Sequence, residues 1–573
     1  VRLKIRILLF YKKATIDIPI FELSTNASVM KFTLLYLTLL LAIVPVFAQK
    51  APQAKVAQGT LQGTTLPSGI ANYRGIPFAQ PPVGNLRWKA PLPAKSWTGV
   101  RKADTFGNNA MQKPVFGDMD FRAPAMSEDC LYLNVWTTAK KATEKLPVLV
   151  YFYGGGFVAG DGSENRYDGE SLAQNGIVTV TLNYRLGIFG FFAHPELTAE
   201  SPNHASGNYG LLDQNAALVW VKENIAAFGG DPDKITIAGE SAGSISVCAQ
   251  MVSPLSKHLI AGAIGQSGGM INPTLDAVPL ASQEKHGTEF GTKVNAASLA
   301  ALRAIPAETL LDEASKPGAF NTKAVVDGYF LPKLPSEILA AGEQANVPLL
   351  AGWTSAEMPY QAFMQGQYPN PENYKAKVLA KYGDKAPEVL TLYPGTTEAE
   401  VIASATALAS DNFIVYSTWK WLDLHRMTTS QPVYAYIFSK ARPPMKSELG
   451  NVKTGLAGGI IKDDGAKKES NKMPDALSGA AHASDIEYLL GNLATNKIFE
   501  WTADDYKASE LGEAYFANFI KTGNPNGKKL TNWPASKKET RMTIMELNTT
   551  AYTFAEPNRA RYTFLGLLYH GEK

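Results

Sequence analysis

The chain of 573 residues is 45% hydrophobic, 10% aromatic and 19% charged, which supplies a large core and excludes a disordered chain. Its 48 Gly and 35 Pro follow no repeat, and its 2 Cys exclude a disulfide-stapled fold. The net charge of +3 is local: six of the 55 basic but two of the 52 acidic residues lie within the first 48, so the remainder is near neutral. It offers no basic field for nucleic acid or an anionic membrane surface.

Residues 1–29 show no clean period and are read as an upstream extension. At Met30 the pattern changes to a basic start at Lys31, an apolar run from Leu34 to Phe47 broken by Pro45, and small residues at Val46 and Ala48. That order predicts a cleavable signal peptide over 30–48, cut after Ala48, and hence export to the periplasm or beyond. The apolar run falls short of the roughly 20 residues a membrane span needs, so no stable insertion is expected after cleavage. Export permits disulfides, yet Cys248 falls on the apolar side of a predicted helix, and both it and Cys130 are expected to be free.

Residues 49–573 read as one domain. Pro147–Tyr153 and Ile177–Asn183 are continuous apolar runs, as strands buried on both faces require. Between Asn208 and Phe228, the spacing of Leu212, Ala216, Val219 and Trp220 predicts an amphipathic helix ended by Gly229-Gly230. Ile235–Ala238 is again a strand, and from Ala242 a helix follows with Ile245, Cys248, Ala249 and Val252 on one face. Val347–Ala351 and Val433–Phe438 are further strands, and Leu511, Tyr515 and Phe519 mark a late helix stopped by Gly523. Alternating strands and helices predict an α/β fold with a mainly parallel sheet covered on both sides. Residues 272–394 are rich in helix formers and are expected as insertions over the sheet. Gly450–Ala481 lacks apolar periodicity and is expected to be an exposed loop.

Gly239-Glu240-Ser241-Ala242-Gly243 matches G-x-S-x-G, a weak pattern alone. Its place between a strand and a helix makes it a nucleophile turn, with Ser241 lifted above the sheet edge and glycines where the turn is crowded. A serine hydroxyl attacks poorly unless a base removes its proton, and the oxygen that becomes negative needs donors. Gly154-Gly155-Gly156-Phe157 follows a core strand. The N–H groups of Gly155 and Gly156, with that of Ala242 at the helix start, are therefore expected to form an oxyanion hole.

These features belong to a longer ordered series. It runs through Tyr73-Arg74-Gly75-Ile76-Pro77-Phe78-Ala79, Ser127-Glu128-Asp129-Cys130-Leu131, Asn183-Tyr184-Arg185-Leu186-Gly187, Gly230–Gly243, Gly479-Ala480-Ala481-His482 and Lys521-Thr522-Gly523-Asn524-Pro525. The series resembles the type-B carboxylesterase and cholinesterase family of the α/β-hydrolase fold. The resemblance implies a Ser…Glu…His triad of Ser241, Glu357 and His482, with helical insertions over an active-site gorge. Glu357 is singled out by the resemblance alone, and Met358 replaces the glycine that usually follows. For the base, only His425, His482 and His570 follow the acid, and His482 alone sits in a loop. Ser267 and Asp485 also match positions of the family, the latter where Glu is common.

The family usually carries a cysteine near Ala110 that pairs with the one at Cys130. Here that bridge is missing, so the segment 111–128 at the gorge rim is expected to be mobile. Cholinesterases carry a tryptophan in this segment for a quaternary ammonium; here only Phe116 and Phe121 are aromatic, which removes the best cation–π partner. The expected function is hydrolysis of small carboxylic esters through an acyl-enzyme, without metal or organic cofactor. Alternatives are a non-catalytic adhesion module of the same fold, or a hydrolase of amides, thioesters or choline esters.

Overall fold

The computed structural model describes residues 51–571, except 451, 463–473, 475, 477 and 478, together with two short N-terminal strands. Those strands, Arg6–Leu9 and Ala14–Asp17, pair antiparallel within a unit covering Val1–Ala51. The predicted signal segment 30–48 lies outside the described residues. Pro52–Lys573 forms the second unit.

An eleven-stranded sheet organises that second unit. Its strands are β1 (Thr64–Thr65), β2 (Ala71–Pro77), β3 (Tyr132–Thr137), β4 (Leu146–Phe152), β5 (Val178–Leu182) and β6 (Gly230–Glu240). They continue with β7 (Gly262–Gln266), β8 (Leu349–Thr354), β9 (Val433–Phe438), β10 (Thr543–Leu547) and β11 (Ala551–Ala555). Their spatial order is 1-2-3-5-4-6-7-8-9-10-11. From β5 to β10 every neighbouring pair is parallel, whereas the outer pairs run antiparallel. The parallel centre explains the unbroken apolar runs: every residue of β5, β7 and β8 is buried, because helices cover both faces.

The helices that position the site are α1 (Tyr209–Asn224), α2 (Ala242–Val252), α3 (Tyr416–Thr428) and α4 (Ala503–Thr522). In α1 the buried face is carried by Leu211, Gln214, Leu218 and Val221, whereas Val219 is exposed. Of the predicted stripe, Leu212 and Trp220 are buried and Ala216 is half-buried, and Val219 alone is exposed. Trp220 is buried as expected, but α1 is covered on several sides, and a single-stripe reading misses that. Helix α2 goes further: all eleven residues are buried, so Cys248 lies in a helix enclosed all round. Both cysteines are free and buried. Helix α4 begins with a capping box between Thr502 and Asp505 and ends at Gly523 in the left-handed conformation, as its glycine predicts.

Within the expected loop Gly450–Ala481, part of which lies outside the described residues, the described stretch is mostly exposed or half-buried and contains a short hairpin. Val452–Thr454 and Ile460–Lys462 pair as an antiparallel hairpin. Its tip packs on Asp118: the Gly459 N–H donates to Asp118 Oδ2 at 3.3 Å, and a Cβ on Gly459 would lie 1.8 Å from the Asp118 carbonyl oxygen. Two glycines, Gly455 and Gly459, are thus required by close approach, and the apparent looseness of this stretch reflects that contact.

Segment 111–128 keeps no covalent tether, and polar contacts hold it instead. Gln112 exchanges hydrogen bonds with Gly160 at 2.8 and 3.0 Å, and Arg87 clasps Glu128 through two bonds of 2.6 Å. Between them Arg122 donates to the Ser163 carbonyl at 2.5 Å and to Asp168 at 2.8 Å.

Candidate active site

The turn of the G-x-S-x-G motif is built by crowding. Strand β6 ends at Glu240, α2 starts at Ala242, and Ser241 between them has φ 55° and ψ −123°. A positive φ on a non-glycine residue of this kind costs on the order of 1–3 kcal/mol and persists only where neighbours impose it. Here they do. A Cβ on Gly243 would lie 2.0 Å from the Phe152 carbonyl oxygen, and one on Gly239 would lie 2.5 Å from the Gly243 backbone. The Ser241 N–H donates to the Gln266 carbonyl of β7 at 2.9 Å, which locks the turn to the sheet.

Glu357 and His482 arrive on two loops that are joined to one another. Glu357 follows β8, and the Ala356 N–H donates to the Ala480 carbonyl at 2.9 Å, the Ala480 N–H to Ser355 Oγ at 2.9 Å, and the His482 N–H to the Glu357 carbonyl at 3.3 Å. This lacing brings together three side chains that are far apart in the chain. His482 Nε2 lies 3.0 Å from Ser241 Oγ, and His482 Nδ1 lies 2.6 Å from Glu357 Oε2. With Nδ1–H donating to the carboxylate, Nε2 is free to accept from the serine hydroxyl. The other oxygen of Glu357 accepts from Ser267 Oγ at 2.6 Å and from the Thr354 N–H at 2.7 Å, so the carboxylate is held on both sides. Phe413 packs edge-on against the imidazole at 4.9 Å.

Two further carboxyls surround this group. Glu240 Oε1 lies 3.2 Å from His482 Nε2 but has no hydrogen-bond partner, because the in-plane direction of Nε2 is taken by Ser241. Asp485 accepts from Gln266 Nε2 at 3.2 Å and from the Tyr436 hydroxyl at 3.0 Å. Burial pushes the Glu240 carboxyl up to about 7 and the Asp485 carboxyl up to about 6. For His482, burial opposes protonation, but Glu240 and Glu357 outweigh it and hold the imidazole at about 9.

The glycine run lies beside the same turn: a Cβ on Gly154 would lie 2.6 Å from the Glu240 carbonyl oxygen. Gly155 and Gly156 have φ 112° and 64°, and a Cβ on Gly155 would lie 2.1 Å from the Ala159 carbonyl oxygen. Among the described residues, no protein acceptor meets the Gly155 or Gly156 N–H. Ala242, first in α2, has no intrahelical partner for its own N–H. Gly155, Gly156, Ser241 and His482 all face one cavity of about 270 Å³. Its remaining lining is mostly apolar, with Ile245, Leu275, Met358, Phe413 and Ile414 at its wall. Phe116 and Met119 of the rim segment and Leu456 and Ala457 of the hairpin also reach it. Among the described residues, no tryptophan lines this cavity. Among the described residues, no group of three His, Cys, Asp or Glu side chains is placed to hold a metal ion.

The other histidines that follow Glu357 take structural positions. His425 is buried in α3, where its Nε2 meets the Val347 carbonyl at 2.9 Å and burial holds it down at about 4. His570 ends the helix Arg559–His570 and stacks on Tyr416. Sequence reasoning brought together Ser241, Glu357, His482 and the glycine donors, and it missed Glu240, Arg166 and the hairpin tip. Glu240 carried a signal, since it sits inside the nucleophile motif itself. Arg166 belongs to no motif.

Residues 50–565 match the model of the Carboxylesterase family. The chain is 32% identical over 522 residues to a fumonisin B1 esterase of Sphingopyxis macrogoltabida, covering 86% of each protein. It is 33% identical over 504 residues to a para-nitrobenzyl esterase of Bacillus subtilis, covering 85% of this chain and 93% of that protein. Among solved structures, a PNB esterase superposes with a TM-score of 0.71 at 30% identity, covering 89% of this chain and 99% of that one. The sheet order, the nucleophile turn and these likenesses agree: the chain belongs to the carboxylesterase family and is a carboxylic ester hydrolase of the α/β-hydrolase fold.

Proposed function

We propose that Ser241 is the nucleophile, His482 the general base and acid, Glu357 the group that orients His482, and Gly155, Gly156 and Ala242 the oxyanion donors. The observation that carries this reading is the pair of contacts at His482, 3.0 Å to Ser241 Oγ and 2.6 Å to Glu357 Oε2. Ser241 Oγ attacks the ester carbonyl carbon while Nε2 takes the hydroxyl proton, and the carbonyl oxygen becomes an oxyanion facing the three N–H groups. Collapse breaks the bond to the alcohol oxygen, which receives the proton from Nε2–H. Water then repeats the attack on the acyl-serine and releases the acid. Glu357 fixes the tautomer and stabilises the imidazolium without itself taking the proton.

The apolar cavity wall suits apolar acyl or alcohol segments of modest size, and the lack of a lining tryptophan among the described residues weakens the case for a choline ester. Neither metal nor organic cofactor enters the chemistry. The pattern of residues 30–48 supports export with the leader removed after Ala48, which N-terminal sequencing of the mature protein tests. A panel of chromogenic esters, varied separately in acyl and alcohol length, tests the reaction and locates the two binding regions. Ser241→Ala is expected to abolish turnover down to the residue left by binding and donors, roughly 10³–10⁴ over water. Native-level hydrolysis by that variant would reject the assignment.

A further inference from the structure

The catalytic scheme leaves one cavity residue unused. Arg166 lines the same cavity as Ser241, although its side chain is only 7% exposed. Its Nε donates to Glu164 Oε2 at 2.8 Å, a bond that engages one edge of the guanidinium. Its Nη1 is buried with no hydrogen-bond partner, and Glu164 Oε1 is likewise unpartnered. Only the part of the guanidinium that keeps this small exposure meets the cavity, and a charged donor short of acceptors at a cavity wall favours one carried by what enters it.

We propose that Arg166 recognises a carboxylate on the substrate, so that the preferred esters carry a free acid group away from the bond that is cleaved. The inference rests on the assignment of this cavity as the esterase site and adds the charge class of what enters it. A guanidinium offers a planar fork of donors that matches a carboxylate, and a bond of that kind is stronger where water is excluded. The rest of the wall supports the selection. Ser241, His482, Glu240 and Thr274 are the other polar side chains in the lining, and Arg166 is its one permanently charged cation among the described residues. Glu164 pairs with Arg166 through Nε alone, and Glu240 and Glu487 add their charge from nearby. Burial pushes Glu164 up to about 7 against the pull of Arg166, and Glu240 also reaches about 7.

The test uses matched substrates on the full chain. The first pair is 4-nitrophenyl hydrogen adipate against 4-nitrophenyl methyl adipate, with charge on the acyl side. The second is 3-carboxyphenyl butyrate against its methyl ester, with charge on the alcohol side. The proposal predicts that the wild type prefers the charged member of at least one pair in kcat/KM. The charged-to-neutral ratio for that pair should fall by about tenfold or more in Arg166→Gln and recover in part in Arg166→Lys. The double variant Arg166→Gln/Glu164→Gln removes the buried acid left unpaired and should show the same fall, which separates recognition from a folding defect. A wild type that prefers the neutral member of both pairs, or a ratio unmoved in both variants, would overturn it. Failure of the wild type to cleave even the neutral esters would instead reject the catalytic assignment.

Discussion

Replacing Glu240 with Gln separates the two carboxyls that act on His482. The imidazole is drawn up to about 9 against its burial, with Glu240 contributing from 3.2 Å and Glu357 from 2.6 Å. Only the neutral imidazole accepts the Ser241 proton, so kcat/KM rises with pH as His482 deprotonates and is lost on the acid side. An opposite charge within hydrogen-bonding reach moves a pKa by about 1–3 units, or roughly 1.4–4 kcal/mol. Glu240→Gln removes one such charge and leaves the Glu357 bond intact. The acid limb of the kcat/KM profile should therefore move to lower pH by about one unit or more, with the variant relatively more active in acid. A neutral chromogenic ester followed over roughly pH 5 to 10 measures it. The labelling rate of Ser241 by a fluorophosphonate over the same range reports the same ionisation independently of substrate binding. An acid limb that stays in place, or moves upward, would refute the electrostatic reasoning.

Other perturbations follow from the same geometry. Glu357→Gln keeps the shape but can present an amide N–H to Nδ1, which favours the wrong tautomer, and kcat should fall by about 10⁴ in steady-state assays. Gly243→Ala would put a Cβ 2.0 Å from the Phe152 carbonyl oxygen, so the turn cannot form unstrained; a lower thermal midpoint together with lost activity is expected, and a stable, active variant would contradict the crowding. Segment 111–128, held by polar contacts at Gln112, Arg122 and Glu128, should exchange its amides faster than β5 and β8, which hydrogen-exchange mass spectrometry resolves by peptide.

Much of this architecture is legible in the residues because its centre is chemically uniform. Buried parallel strands such as Val178–Leu182 and Val433–Phe438 need apolar side chains on both faces, and their runs stand out. The site is legible for another reason: a strained turn admits few residues beside Ser241, and only glycine tolerates the approach of Phe152. What was not legible depends on partners distant in the chain. The extra buried residues of α1, such as Leu211, Gln214 and Leu218, were not legible because the helix is covered from several directions, which one hydrophobic stripe does not encode. The hairpin at 452–462 was hidden because its order comes from Asp118, more than three hundred positions away. Arg166 was silent for the same reason, since its meaning lies in the cavity it faces and not in its neighbours along the chain.

The most direct test of the central claim is peptide mapping of the protein after reaction with a fluorophosphonate. The account predicts a single stoichiometric adduct on Ser241, formed at a rate that falls in His482→Ala. An adduct on another serine, or equal labelling with and without His482, would contradict it.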